Sequence, residues 1–126
     1  MNQPRIQKNI LVVEDDEQSA RFIQVLLQGS YTIHNASWAE AAWDILEHES
    51  IDLVLMDISL PGEENGLALT RRIRASLRFG GLPVIVVTAH AFPRDRENSL
   101  AAGCNEYISK PFERTQLLAA VQRQLS

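Results

Sequence analysis

Three short stretches of the chain are apolar without a break: Ile10-Leu11-Val12-Val13, Leu53-Val54-Leu55-Met56 and Val84-Ile85-Val86-Val87. Each is bounded by polar residues or proline. Unbroken runs of this length suit strands covered on both faces, as in a parallel sheet, whereas a sheet with one wet face would show alternation. Tyr31 to Asn35 and Glu106 to Ile108 are weaker strand patterns.

Helical spacing fills the intervals. Trp38, Ala41, Ala42, Ile45 and Leu46 share one helix face, and Ser37 with Glu40 three residues later predicts a capping-box start. Phe22, Ile23, Leu26 and Leu27 mark an earlier helix ending near Gly29; Leu69, Ile73 and Leu77 mark one after Gly66; Leu117, Leu118, Val121 and Leu125 mark the last. Trp38 and Trp43 read as packing and half-exposed surface rather than a ligand cage. Residues 93–102 predict a helix opening at Pro93 and closing before Gly103, with Leu100 as its one large apolar residue. Such a helix packs weakly, and moving elements come from the low-stability end of a fold.

Strand and helix thus alternate five times, which predicts a doubly wound, three-layer α/β sandwich. Apart from a polar lead over residues 1–8, no linker, repeat or low-complexity tract interrupts residues 9–126, so one domain is expected. The chain has 126 residues, and at that size a core can stand without disulfides or a structural metal. Twelve Lys and Arg against sixteen Asp and Glu give a net charge of -4, which supplies no electrostatic footprint for direct nucleic-acid binding. Cys104 is the single cysteine; it reads as a small buried side chain in a reducing compartment. With no apolar leader and no membrane-length run, the expectation is a cytoplasmic protein without membrane insertion.

In a doubly wound sheet, ligands bind beyond the carboxyl ends of the strands. The apolar runs stop at Glu14-Asp15-Asp16, at Asp57, at Thr88 and at Lys110-Pro111. Converging carboxylates repel one another, and a hard cation such as Mg²⁺ relieves that repulsion through oxygen ligands. A lysine and a threonine hydroxyl beside them can hold phosphoryl oxygens. Each residue alone also reads as a helix cap, a loop hydroxyl or a surface charge; the joint placement of all of them favours a site.

Ile10-Leu11-Val12-Val13-Glu14-Asp15, Leu53-Val54-Leu55-Met56-Asp57 through Pro61, Val87-Thr88-Ala89 and Ile108-Ser109-Lys110-Pro111-Phe112 resemble the successive signatures of the receiver domain of two-component response regulators. The resemblance runs from about residue 8 to the C-terminus. It implies a flavodoxin-like fold with five parallel strands in the order 2-1-3-4-5 and five helices, and a cis bond at Lys110-Pro111. It further implies that Asp57 accepts a phosphoryl group from a histidine kinase or phosphotransfer protein. Mg²⁺ would be held by Asp15, Asp57, Glu14 directly or through water, and the backbone carbonyl of Ser59. Thr88 would bond a phosphoryl oxygen, Lys110 would pair with the Asp57 carboxylate or its phosphate, and Tyr107 would swing from exposed to buried. The fourth helix, fifth strand and last helix would then form the surface that a downstream protein reads, in a monomer or weak dimer.

Three departures from the common receiver pattern stand out. Glu14 replaces the usual Asp of the acidic pair. The loop Pro61-Gly62-Glu63-Glu64-Asn65-Gly66 is one residue longer than usual, so no role carries over to Glu63 or Glu64. Ser59 and His90, each two positions beyond a site residue, fall where the family varies, and His90 is a candidate for setting the lifetime of phosphorylated Asp57.

Alternative functions share this fold. A dehalogenase-like phosphohydrolase needs a second Asp where Ser59 stands, and a flavin carrier needs a phosphate-cradling loop where Glu14-Asp15-Asp16 would repel one. A phosphorylation-independent interaction module stays open. With no output segment after residue 126, a single-domain regulator is the simplest expectation, and a receiver excised from a hybrid kinase or transcription factor is the alternative. In either form the resemblance implies a signalling domain that assists its own phosphorylation and dephosphorylation rather than a turnover enzyme on a separate substrate.

Overall fold

In the computed structural model, which describes residues 7–89 and 92–126, five parallel strands form one sheet in the order β2-β1-β3-β4-β5. The elements alternate along the chain: β1 (Asn9–Val13), α1 (Glu17–Leu27), β2 (Thr32–Ala36), α2 (Ala39–His48), β3 (Leu53–Met56), α3 (Gly66–Ala75), β4 (Val84–Thr88), α4 (Pro93–Ala102), β5 (Glu106–Ser109) and α5 (Arg114–Leu125). The expected architecture and strand order are therefore present.

The uninterrupted apolar runs are explained by a core on each side of the sheet. Leu11, Val13, Val54, Met56, Val84 and Val86 face α2 and α3, meeting Ala42, Leu46, Leu69 and Ile73. Their neighbours Ile10, Val12, Leu53, Leu55, Ile85 and Val87 face α1 and α5, meeting Ile23, Leu27, Leu117 and Val121. Because successive side chains point to opposite faces, every position of a central strand must be apolar.

Helix ends carry their own chemistry. Asp16 caps α1 by accepting from the Ser19 N–H at 2.9 Å, and Asn65 caps α3 by accepting from the Ala68 N–H at 2.9 Å. Gly103 closes α4 in the left-handed region at φ 112°, where glycine carries no Cβ penalty. α4 packs on α3 and β5 and buries Ser99 and Ala102, leaving Leu100 43% exposed.

Three local expectations are corrected. The second helix starts at Ala39 with Trp38 as its N-cap and no side-chain cap bond, so Ser37 and Glu40 do not form a capping box. The third helix ends at Ala75, and Leu77, expected on its buried face, is fully exposed. Ser76 turns the chain there, its hydroxyl accepting from the Arg78 and Phe79 N–H groups, and Phe79 reaches the core instead. Trp38, expected on the apolar face of the second helix, instead stands exposed at its N-cap, while Trp43 packs against the α2–α3 side of the core.

Candidate functional site at the carboxyl edge of the sheet

The sheet ladder continues one residue past the strands and sets the rim. The Glu14 N–H donates to Ala36 O at 2.9 Å, the Asp57 N–H to Val13 O at 3.0 Å and the Lys110 N–H to Thr88 O at 2.8 Å. Glu14, Asp57, Thr88 and Lys110 are thereby brought to one edge, beside the point where β1 has β2 on one side and β3 on the other. Strand order reverses there, which is where such folds hold their ligands.

Asp57 is the centre of the cluster and only 7% exposed. Its Oδ1 accepts from the Thr88 hydroxyl at 3.0 Å and from the Ser59 N–H at 2.9 Å. Its Oδ2 faces Lys110 Nζ at 3.3 Å. Lys110 also pairs with Glu14 Oε1, and Glu14 Oε2 accepts from the Asp16 N–H at 3.3 Å. Burial pushes the Asp57 carboxyl up, but the Ser59 N–H, the contact with Glu14, Lys110 and the Thr88 hydroxyl together hold it below the ordinary carboxylate range. Burial also opposes the charge on Lys110; Glu14 and Asp57 nonetheless keep its pKa above the usual lysine value.

Glu14 behaves oppositely. Burial, with Asp57 adding to it and Lys110 opposing it, pushes its carboxyl up to about 7. The two adjacent carboxylates share one ammonium, so their protons belong to the pair rather than to either residue. Asp57 is thus a carboxylate oriented by a backbone N–H, a hydroxyl and an ammonium, with its ionised form favoured.

The candidate donors are oxygens throughout: Glu14 and Asp57 are in contact, Ser59 follows at the start of the next loop, and Asp15, next to Glu14 in the chain, is exposed. That all-oxygen donor chemistry fits a hard divalent cation. As arranged, however, no three His, Cys, Asp or Glu side chains among the described residues meet in a cluster that could hold a metal ion. Lys110 occupies the gap between the two carboxylates.

Gly66 completes the rim. A Cβ there would lie 2.0 Å from the Asp57 carbonyl oxygen, so only glycine lets the start of α3 close against the acceptor strand. The Gly66 N–H donates to Ile58 O at 3.2 Å. The Lys110-Pro111 peptide is cis.

Tyr107 lies on β5 with its ring packed at the edge of the α2–α3 core. Its hydroxyl is buried and makes no hydrogen bond among the described residues, with the Ser109 side chain as the nearby polar group. Beside it Phe92, Pro93, Arg96, Leu100 and Pro111 line an open groove of about 810 Å³ between α4 and α5. His90 lies outside the described residues. Arg72 was not anticipated from the sequence: it joins Glu40 of α2 to Glu64 of the loop after β3, a connection with no local signature.

A family model described as the response regulator receiver domain matches residues 10–122. The polar-differentiation response regulator DivK of Brucella ovis is 35% identical over 120 residues, covering 94% of this chain and 96% of DivK. The response regulator Rre1 of Synechocystis sp. is 32% identical over 94% of this chain, which spans about half (52%) of Rre1. Among solved structures, the receiver domain of a sensor histidine kinase from Pseudomonas aeruginosa, with magnesium ion coordinated in its active site cleft, superimposes with a TM-score of 0.86 at 36% identity, covering 95% of this chain and 98% of that one.

Proposed function

The chain belongs to the response regulator receiver domain family, and on that premise we propose that Asp57 accepts a phosphoryl group from the phosphohistidine of a histidine kinase or phosphotransfer protein. A carboxylate oxygen of Asp57 attacks phosphorus, the bond from phosphorus to the histidine nitrogen breaks, and the leaving nitrogen takes its proton from solvent. The product is an acyl phosphate. Attack of water on phosphorus later releases inorganic phosphate and restores the carboxylate.

The observation that carries this reading is a 7% exposed carboxylate held by a backbone N–H, a threonine hydroxyl and a lysine ammonium at the switch point of the sheet. Phosphoryl transfer needs positioning and charge neutralisation more than proton transfer. Lys110 follows the charge from the carboxylate to the phosphoryl oxygens, and Thr88 transfers its hydroxyl donation to one of them. Asp57, Glu14, Asp15 and the Ser59 carbonyl would hold Mg²⁺, which supplies the remaining neutralisation of phosphoryl charge when bound. Glu14, which is paired with Lys110 here, would serve as such a ligand through an oxygen that the pair leaves open.

The passing of the Thr88 hydroxyl from the carboxylate to a phosphoryl oxygen would couple to Tyr107. Its unsatisfied hydroxyl and the weakly packed α4 make this side the easiest part of the domain to shift, and the groove bordered by Phe92 and Leu100 is the surface on which a downstream protein would read the change. No described helix is long and apolar enough to cross a membrane. The chain covers 96% of DivK and 52% of Rre1, so this unit makes up nearly all of one relative and about half of another.

Incubating the protein with Mg²⁺ and acetyl phosphate and recording the intact mass tests the reading. One phosphoryl group should be added to the wild type and none to Asp57→Asn. Equal modification of both would overturn it.

A further inference from the structure

We propose that Arg72 is a positioning residue for the loop that follows Asp57, acting through Glu64; this rests on the phosphoryl-acceptor reading given above. Residues 61–65 join the acceptor strand to α3, and Glu64 is the one side chain among them that is drawn partly inside. Its carboxylate accepts from Arg72 Nη1 at 3.1 Å. The same nitrogen donates to Glu40 on α2 at 2.8 Å, and the guanidinium lies 4.1 Å from the centre of the Trp43 ring. Trp43 is braced in turn by the edge of Phe79, with ring centres 5.4 Å apart at 89°.

A surface ion pair alone would contribute little, because two long side chains must be ordered in water. Here the ordering is already done. The guanidinium is fixed on one side by an aromatic face and on another by a carboxylate of a different helix, so engaging Glu64 costs little further side-chain entropy. The loop's other fastenings among the described residues flank positions 61–63: on one side the Ser59 N–H on Asp57 Oδ1 at 2.9 Å and the buried side chains of Ile58 and Leu60, on the other the Gly66 N–H on Ile58 O and the Asn65 cap. Between them lie Pro61, exposed Gly62 at φ 92° and exposed Glu63, a stretch with no buried anchor. Glu64 supplies the missing tether for a loop one residue longer than the common receiver version. Its release would let the Ser59 carbonyl and the Asp57 carboxylate drift together, at a site where small displacements slow transfer.

The test uses Glu64→Gln, Arg72→Met and the double variant of the full chain. Amide hydrogen exchange of residues 59–65, measured without metal, should quicken in both single variants while β1 and β3 amides keep their wild-type protection. The Mg²⁺ concentration giving half-maximal phosphorylation by acetyl phosphate should rise about two- to fivefold in each, as the strength of one ordered ion pair allows. The double variant should be no worse than either single one, since both remove the same tether. Wild-type loop exchange and wild-type Mg²⁺ dependence in both single variants would overturn the proposal. If the wild type itself gained no phosphoryl group, the acceptor reading would fail, and the loop exchange would still decide the tether.

Discussion

The Thr88 hydroxyl donates to Asp57 Oδ1 at 3.0 Å, and both groups are almost sealed from solvent, at 0% and 7% exposure. A hydroxyl spent on a charged acceptor in a dry site does more for that carboxylate than the same bond would do in water. Thr88→Val keeps the shape and removes the donor. Phosphorylation by acetyl phosphate should slow about tenfold, the rate equivalent of one hydrogen bond to a charged group. Thr88→Ser should retain most of the rate. Stopped-flow kinetics of the three proteins would show this, and a Val variant as fast as wild type would remove Thr88 from the site.

Arg74 holds the far end of α4 in place. It donates to Gly103 O at 2.7 Å, Leu82 O at 2.6 Å, Gly80 O at 3.3 Å and Asn105 Oδ1 at 2.7 Å. Losing the guanidinium leaves several partly buried oxygens without a donor, so Arg74→Met should lower stability by about 2–4 kcal/mol in urea unfolding. Gly103→Ala should cost about 1–2 kcal/mol by adding a Cβ at positive φ, and that Cβ would lie 2.6 Å from Arg74 Cγ. Unchanged midpoints in both variants would refute this anchoring.

Most of the fold was legible because burial on both sides of a parallel sheet writes itself into unbroken apolar runs. The rim was legible for a related reason: Glu14, Asp57, Thr88 and Lys110 sit where those runs stop. What failed was decided by distant partners. Glu40 has the right spacing from Ser37 for a capping box, but its carboxylate is taken by Arg72, 32 residues away. Leu77 continues the apolar spacing of Leu69 and Ile73, but Ser76 ends the helix first. The pairing of Lys110 with Glu14 rather than with Asp57 alone likewise depends on three strand ends meeting, which no local pattern encodes.

Tyr107 buries a hydroxyl that has no hydrogen-bond partner among the described residues. Removing such a group relieves a desolvation cost, so Tyr107→Phe should raise stability of the unphosphorylated protein by up to about 1 kcal/mol. Thermal unfolding checks this. A clear loss of stability would mean that the hydroxyl has a partner in solution.

Cys104 is 7% exposed, and burial pushes its thiol up to about 11. A raised thiol pKa means that little thiolate exists at pH 8, and reaction must await opening of the fold. Labelling by an aromatic disulfide reagent at pH 8 should therefore be slow in the native protein and immediate in urea. Complete labelling within seconds in native buffer would contradict the burial.

The central claim is that a single carboxylate, on Asp57, captures phosphorus. Borohydride reduces an acyl phosphate to an alcohol, so protein treated with Mg²⁺ and acetyl phosphate, then reduced and digested, should carry homoserine in place of Asp57 in the fragment map. Homoserine at another carboxylate, or an unreduced Asp57 in protein that has gained a phosphoryl group, would contradict the account.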